Sequence, residues 1–441
     1  MSEFNYINTN CLEIDLYLSC CKYPNSSQLE TEWLNNRESL LKFIETVCAI
    51  LFCFADVFSI VVFSPPLFKQ AHWGIKGLIL DESTQQPIKS AIISIDNING
   101  HNITSSLNGE YWRILLPGIY QITVSAFGYQ TKTSKIIVNN LNPTSATILN
   151  FTLQRNNQTK SSSSSIEIED FQFNKTELLP DFHTETKFIH HNYIEMEKLL
   201  KEFHQNYSHI TRLYSIGRTV EKRKLYVLEI SDNPGQHEIG EPEFKYIANM
   251  HGNEVVGREM ILLFAKLLLE NYGHHNYIDW LINNTRIHLM PSMNPDGYEQ
   301  SNLGDCDSLI GRNNANNVDL NRNFPDQYRL YKENRRQELE TLAVMNWLRQ
   351  YPFVLSANLH GGALVANYPF DGNNYTNNGY HDGYNGTPDD QLFRYLALIY
   401  SKVCKMIFTS FLQKKIFIFS INRIIQICIK DIVLKNVLIM N

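Results

Sequence analysis

The chain has 441 residues, of which 43% are hydrophobic and 19% charged, and its formal net charge is −6. That length predicts about three domains of roughly 150 residues each, with ample apolar material for buried cores. The acidic balance gives no basis for nucleic-acid binding, and the sequence contains neither a His-Glu-x-x-His motif nor a glycine-rich phosphate loop.

An apolar segment covers residues 47–70, with Asp56 in its middle and Pro65-Pro66 near its end. A membrane-spanning helix needs about 20 consecutive apolar residues, and a signal peptide would lie at the N-terminus behind basic residues. We therefore interpret the segment as an insertion of doubtful origin. A membrane anchor is the alternative.

Residues 71–155 carry short β-branched and aromatic runs at 88–95, 111–116 and 120–126. Asn108-Gly109, Pro117-Gly118 and Gly128 supply turn signals around them. Several short strands with regular turns predict a small all-β sandwich. No catalytic constellation is visible in it, so its expected role is structural.

A serine-rich linker at 156–169 leads into residues 170–403, where strand and helix patterns alternate. Strands are predicted at 225–230, 244–250, 287–290 and 353–359, and helices at 255–269 and 337–349. This alternation predicts an α/β fold with a mixed, mostly parallel sheet and helices on both faces.

Two histidines each end a hydrophobic strand pattern: His251 begins the run His251-Gly-Asn-Glu254, and His360 is followed by two glycines. The carboxyl ends of the strands are where an open α/β sheet builds its site. Two imidazoles and a carboxylate with a fourth position open are typical of catalytic zinc. A bare His-x-x-Glu is nevertheless weak evidence, because it occurs by chance in many proteins.

Between the histidines runs a polar, amide-rich stretch, residues 311–326, that fits neither a helix nor a strand period. Its Arg312 and Arg322 present planar forks that match a carboxylate bidentately. Beside a zinc Lewis acid, such forks would grip a free carboxylate and polarise an adjacent carbonyl. The alternative is a solvated loop whose arginines make surface ion pairs.

The last segment, residues 404–441, is rich in Ile, Lys and Phe, has no Gly or Pro, and contains a single acidic residue, Asp431. Lys and Arg interrupt each apolar run well short of a membrane span of about 18 residues. We interpret this tail as unrelated to the preceding domain, for example as translated intron. A membrane segment is the alternative.

Four motifs in this order resemble the zinc metallocarboxypeptidases, specifically the tandem-domain members of their regulatory (N/E) branch. They are His251-Gly-Asn-Glu254, Pro291-Ser-Met-Asn-Pro-Asp-Gly-Tyr298, Asp319-Leu-Asn-Arg-Asn-Phe-Pro-Asp326 and Asn358-Leu-His-Gly-Gly362. The resemblance extends from about 170 to 400. Residues 71–155, with Gly109-Glu-Tyr-Trp112, resemble the transthyretin-like domain that follows each catalytic domain in this branch.

The resemblance implies a zinc exopeptidase that releases C-terminal Lys or Arg from peptides and proteins. His251, Glu254 and His360 would bind one Zn²⁺, and Arg312 would polarise the scissile carbonyl. Asn321 and Arg322 would hold the substrate's C-terminal carboxylate. Asp371 resembles the acidic residue that selects a basic side chain, with an ordinary surface aspartate as the alternative.

The resemblance also exposes a missing general base. The family supplies a glutamate on a late strand, but no glutamate follows Glu340 in this chain. Residues 1–46 resemble the end of a preceding carboxypeptidase unit, and there the matching position is Tyr17, while Glu13 matches a different strand glutamate. We therefore expect severely reduced activity, and an exposed sheet edge where the last strands are missing. The alternative function is a catalytically silent module that binds zinc or peptide.

The expected compartment is the secretory pathway or the extracellular space, with membrane attachment of a full-length parent protein as the alternative. Such a compartment favours disulfides among the eight cysteines, and the sequence leaves their pairing open. Glycosylation sequons favour the same compartment, among them those at Asn25, Asn102, Asn150, Asn157, Asn174, Asn206, Asn283 and Asn374.

Overall fold

The computed structural model describes residues 1–46, 73–98, 100–140, 146–156, 180–325, 336–371, 375–376, 379–380 and 385–403. The apolar segment 47–70, the tail 404–441 and nearly all of the linker 156–169 lie outside these ranges. The interpretations given to them stay predictions. Among the helices of the described ranges, none is both long and apolar enough to cross a bilayer.

The first 46 residues form helix α1 (Ser2–Asn8), strand β1 (Leu12–Tyr17) and helix α2 (Leu29–Ile44). Side chains alternate across a strand. The apolar residues Leu12, Ile14 and Leu16 are therefore buried in one core, while Glu13, Asp15 and Tyr17 share the opposite face.

A β-sandwich follows, built from two four-stranded sheets around an aliphatic core. Its strands are β2 (Ile75–Asp81), β3 (Ile92–Ile95), β4 (Ile103–Thr104), β5 (Glu110–Arg113), β6 (Gly118–Ser125), β7 (Lys132–Val138), β8 (Thr147–Ile148) and β9 (Phe151–Leu153). The predicted sandwich is confirmed. The run at 88–95 becomes a strand only from Ile92, because Ser90 has φ 56, a turn conformation that a strand cannot contain.

The remaining elements make an α/β unit. Its helices are α3 (Tyr193–Asn206), α4 (Val256–Asn271), α5 (Asn276–Asn283), α6 (Pro295–Gln300), α7 (Leu339–Gln350) and α8 (Asp390–Val403). Its strands are β10 (Thr211–Arg218), β11 (Lys224–Ile230), β12 (Glu243–Ala248), β13 (Arg286–Met290), β14 (Phe353–His360), β15 (Val365–Asn367), β16 (Tyr375–Thr376) and β17 (Gly379–Tyr380).

Seven strands form one mixed sheet in the order β10-β11-β13-β12-β14-β1-β15. The central four, β13, β12, β14 and β1, are parallel, and antiparallel strands flank them. Phe244 and Tyr246 of β12 point into the core that contains α2, α4 and α8, whereas Ile247 points into the core that contains α7. The predicted fold class, with helices on both faces, is confirmed.

The expected exposed sheet edge is wrong for the described residues. Strand β1 lies against β14 in parallel register, from Leu12 opposite Leu355 to Tyr17 opposite His360. A disulfide between Cys21 and Cys306 joins this N-terminal segment to the α/β unit. The side of β14 away from β12 is covered because β1, far away in sequence, pairs with it.

The sandwich contacts the α/β unit through two buried polar clusters. The Arg113 guanidinium donates to both carboxylate oxygens of Asp389 at 2.8 and 2.7 Å, and His101 lies 2.8 Å from the same group. In the second cluster, His237 bridges Glu110 of the sandwich, at 2.7 Å, and Glu243 of β12, at 2.9 Å. Both clusters contribute to holding the two units together.

Candidate metal centre

The two histidines reach the same edge of the sheet because β12 and β14 are adjacent and parallel. His360 ends β14, and His251 lies three residues beyond the end of β12. The turn between β12 and α4 is held by Asn249, whose amide donates to the backbone oxygens of His251, Gly252 and Glu254 at 2.8 to 3.2 Å. This turn brings Glu254 back beside His251.

Gly252 is required in that turn by a close approach of two backbone segments. A Cβ at this position would lie 2.3 Å from the backbone of Gly297 and Tyr298, far inside van der Waals contact. Only glycine therefore lets the loop that carries His251 and Glu254 pack against the N-terminal end of α6.

His251, Glu254 and His360 offer ligand atoms that all lie within 4.8 Å of one another, and all three residues are buried. Nδ1 of His251 is 2.9 Å from one Glu254 carboxylate oxygen, and Nδ1 of His360 is 2.8 Å from the other. The Nε2 atoms point outward. That of His251 is 3.1 Å from Asp319, and that of His360 is 2.7 Å from the Asn358 amide nitrogen and 3.5 Å from Asp15. Both imidazoles thus turn the same nitrogen towards a common point.

These residues fit a zinc ion. Nδ1 of His251 is buried and has no hydrogen-bond partner, although it lies close to Glu254, so its lone pair is available to a metal. Two imidazole nitrogens and a carboxylate are the donor set of many catalytic zinc sites.

The electrostatics favour an ionised Glu254. Burial alone would raise the pKa of this carboxyl, but His251 and His360 outweigh burial and hold it well below its usual value. Burial opposes a charged His360, yet hydrogen bonds to Asp15 and Glu254 raise its pKa to about 9. The pKa of Asp15 falls to about 2 despite burial, with the His360 hydrogen bond as the largest opposing cause.

Arg312 lies directly beside the predicted ligands. Its Nη1 donates to Glu254 at 3.1 Å, while Nε and Nη2 donate to Asp319 at 3.2 and 3.0 Å. The loop is irregular, as predicted, and it is pinned at Gly311, whose φ is 73 and where a Cβ would lie 2.4 Å from the Gly297 oxygen. The guanidinium is partly exposed, so it can reach a bound molecule.

Asn321 and Arg322 lie in a short 3-10 helix that begins after Asp319. The Asn321 side-chain oxygen accepts from the Met1 amino group at 3.0 Å. Arg322 is exposed. Burial raises the pKa of Asp319, but His251 and Arg312 lower it more strongly, and the charge of Arg322 adds a smaller lowering effect. Both side chains therefore lie near the Asp319 edge of the centre without touching the three predicted ligands.

Asp371 is exposed and accepts a hydrogen bond from the Asn367 amide at 3.1 Å. Burial raises the pKa of the Tyr17 phenol most, followed by the charges of Glu254 and Asp15, and Asp371 is close enough to add a smaller effect in the same direction. The structure thus places Asp371 on the Tyr17 side of the centre and Arg322 on the Asp319 side.

Tyr17 stacks on the ring of His360, with the ring centroids 4.8 Å apart and the planes 17° from parallel. Glu13 lies four residues earlier on the same face of β1, where its buried carboxylate is 2.8 Å from the Lys245 ammonium. Two side chains of β1 therefore lie beside the predicted ligand His360: the Tyr17 phenol and the Asp15 carboxylate.

Two carboxylates of the centre were not predicted from the sequence. Asp319 lies inside a quoted motif, and its place two residues before Asn321 was the available signal. Asp15 carried a weaker signal, as an acidic residue on the polar face of an otherwise apolar strand. Its partner His360 lies 345 residues away, and no local pattern connects the two.

Comparisons with known proteins match both folded units. The zinc carboxypeptidase family matches residues 196–428, and the carboxypeptidase regulatory-like domain matches residues 74–154. Carboxypeptidase D from Homo sapiens is 46% identical over 415 residues, which are 91% of this chain and 27% of that protein. Carboxypeptidase D from Drosophila melanogaster is 44% identical over 418 residues, covering 91% and 28%.

Carboxypeptidase M from Mus musculus is 51% identical over 214 residues, which are 48% of each chain. This chain spans little more than a quarter of the length of the carboxypeptidase D relatives. The resemblance predicted from the four motifs is confirmed.

Proposed function

We propose that this chain, which belongs to the zinc carboxypeptidase family, binds one Zn²⁺ through His251, Glu254 and His360. We also propose that it releases C-terminal Lys or Arg from peptides and proteins. The family comprises hydrolases that act as exopeptidases. The observation that carries the proposal is the convergence of three buried ligand atoms within 4.8 Å. We further propose that activity is reduced in this chain, because Tyr17 stands where the family has its glutamate.

Zn²⁺ in such a site supplies Lewis-acid chemistry, polarising a carbonyl group and lowering the pKa of water. The side chains do the rest. Arg312, partly exposed and 3.1 Å from Glu254, would donate to a carbonyl oxygen as it gains negative charge. Asn321 and Arg322 would bind the free C-terminal carboxylate, whose planar shape a guanidinium matches.

Preference for a basic C-terminal side chain would come from Asp371. Its carboxylate is exposed on the Tyr17 side of the centre and has the Asn367 amide as its hydrogen-bond partner. A carboxylate there would attract a Lys ammonium or an Arg guanidinium and would reject an acidic residue.

The reduction of activity follows from the chemistry of Tyr17. General-base catalysis contributes about 10²- to 10⁴-fold to many enzymes and needs an acceptor for the proton of water. A phenol has an ordinary pKa of about 10 and keeps its proton at neutral pH. Tyr17 is therefore a hydrogen-bond donor at the place where a carboxylate would accept.

The same observation favours a second candidate, a catalytically silent module that binds zinc and peptide. Such a module would keep the ligands, Arg312 and the carboxylate-binding residues, and the stacking of Tyr17 on His360 would make the metal site rigid rather than reactive. The two candidates differ in one measurable property, the release of an amino acid.

We propose the secretory pathway or the extracellular space as the location, with membrane attachment through a longer parent protein as the alternative. Two features support it. The Cys21–Cys306 disulfide is of a kind that persists in oxidising compartments. Five sequon asparagines within the described ranges are exposed: Asn25, Asn102, Asn150, Asn206 and Asn283.

The test is incubation of the purified chain, with Zn²⁺ added, with a peptide that ends in Arg. We expect slow release of free Arg from this peptide. The same peptide with an amidated C-terminus should release no Arg, because it has no carboxylate for Asn321 and Arg322 to bind. A peptide ending in Glu should not be cleaved. Turnover as fast as an intact family domain would contradict the proposed impairment. Peptide binding without any release would favour the silent module.

A further inference from the structure

Nε2 of each predicted zinc-binding histidine faces a carboxylate, while both Nδ1 atoms face Glu254. Nε2 of His251 has Asp319 as its hydrogen-bond partner at 3.1 Å. Nε2 of His360 lies 2.7 Å from the Asn358 amide nitrogen and 3.5 Å from Asp15, which itself accepts from that amide. An imidazole that donates one N–H to a carboxylate has its other nitrogen fixed as an acceptor, and this arrangement orients the ligand for a metal.

Asp15 is built into the site rather than lying near it by chance. It is 2% exposed, its Oδ1 accepts from the Asn358 amide at 3.0 Å, and its Oδ2 accepts from the Ser2 hydroxyl at 3.0 Å. Pairing of β1 with β14 sets Asp15 opposite Asn358. The carboxylate is thus fixed by partners on both sides before it meets His360.

We infer that Asp15 is a positioning residue for the metal centre. It holds His360 with Nδ1 facing the ion, both by its charge 3.5 Å from Nε2 and through the Asn358 amide that it fixes. The inference rests on the proposed zinc site. It gives residues 1–46 a function that they cannot have alone: they contribute a carboxylate to a metal centre whose ligands lie more than 230 residues later in the chain. The centre is then complete only when β1 occupies its place beside β14.

Glu13 offers a matched comparison. It lies on the same strand, on the same face and equally buried, but its partners are Lys245 and Ser356 instead of a metal ligand. Neutralising either carboxylate removes one buried charge from β1, and only the loss of Asp15 touches His360.

Four proteins are compared: the full chain and its variants Asp15→Asn, Asp15→Ser and Glu13→Gln. For each, zinc affinity is measured by competition with a chelator, and the absorption spectrum is recorded after substitution with Co²⁺. Thermal unfolding without metal is recorded for each. Both Asp15 variants should bind zinc roughly 10- to 100-fold more weakly and show a changed Co²⁺ spectrum. Glu13→Gln should lower thermal stability and leave zinc affinity and the spectrum as in the parent.

A folded Asp15→Asn or Asp15→Ser chain with the parent's zinc affinity and Co²⁺ spectrum would overturn the inference while leaving the proposed function intact. Failure of both Asp15 variants to fold, with Glu13→Gln folded, would also overturn it, because the role of Asp15 would then be structural. A parent chain that takes up no zinc would contradict the proposed function, and this inference with it.

Discussion

At the scale of single residues, Tyr17 decides how the centre can work. Its ring lies flat against His360, at the position on β1 where the resemblance leads one to expect a glutamate. The ligands beside it are intact, as are Arg312 and the residues proposed to bind a carboxylate. One side chain therefore separates the proposed slow enzyme from a competent one.

Replacing Tyr17 with Glu should raise kcat/KM for a peptide ending in Arg by about 10²- to 10⁴-fold, the usual range for a general base. Tyr17→Gln is the matched control, since it has nearly the same shape as the glutamate and cannot accept a proton. Initial rates of Arg release at pH 7 measure the difference. Equal rates for the two variants would show that Tyr17 does not occupy the base position.

At the scale of elements, β1 is the part of the fold that the sequence could least predict. The alternation of Leu12, Ile14 and Leu16 with polar residues marks a strand but does not say which strand it joins. Its partner β14 lies more than 330 residues later, and pairing over such a distance depends on the assembled sheet. The sequence did predict strands β11 to β14, helices α4 and α7 and the convergence of His251 and His360. Each of these predictions depends on a local pattern.

The Cys21–Cys306 disulfide secures β1 and α2 against the α/β unit, so its removal should destabilise the chain. Cys21→Ser should lower the free energy of unfolding by about 2 to 5 kcal/mol, as for other native disulfides. The neighbouring Cys20→Ser, outside that disulfide, should cost less. Urea unfolding followed by circular dichroism gives both values, and an equal loss in the two variants would argue against a stabilising role of the crosslink.

At the scale of the whole molecule, a cluster of ionisable groups joins the sandwich to the α/β unit. His237 lies between Glu110 and Glu243, and Glu243 is also bound by Arg286 at 3.0 Å and by His288 at 2.6 Å. Hydrogen bonds to Glu110 and Glu243 raise the pKa of His237 to about 10. Nearby, burial and the charge of Glu243 raise the pKa of Glu241 to about 8.

Both raised pKa values make stability fall as the pH rises. The contribution of protonated His237 is fully present below its unfolded pKa of about 6.5 and is lost as the pH passes about 10. Glu241 also makes stability fall as the pH rises from the ordinary pKa of a glutamate to about 8. The reason is that the folded chain keeps the Glu241 proton to a higher pH than the unfolded chain does.

Stability of the parent chain should therefore decrease between pH 6.5 and 10, by up to about 1.4 kcal/mol per pH unit from His237. His237→Gln should make this dependence flatter, whereas the exposed His209→Gln should leave it unchanged. Urea unfolding at several pH values measures the slopes. A parent whose stability is constant or rises over this range would refute the assignment.

We propose that His251, Glu254 and His360 together bind one zinc ion, and analysis of the metal content decides whether they do. The parent chain, His360→Ala and the surface variant His209→Ala are dialysed against buffer with Zn²⁺ and then against metal-free buffer, and zinc is measured by mass spectrometry. We expect about one zinc per chain for the parent and for His209→Ala, as in other single-ion catalytic sites, and little for His360→Ala. Equal zinc in His360→Ala and the parent would contradict it.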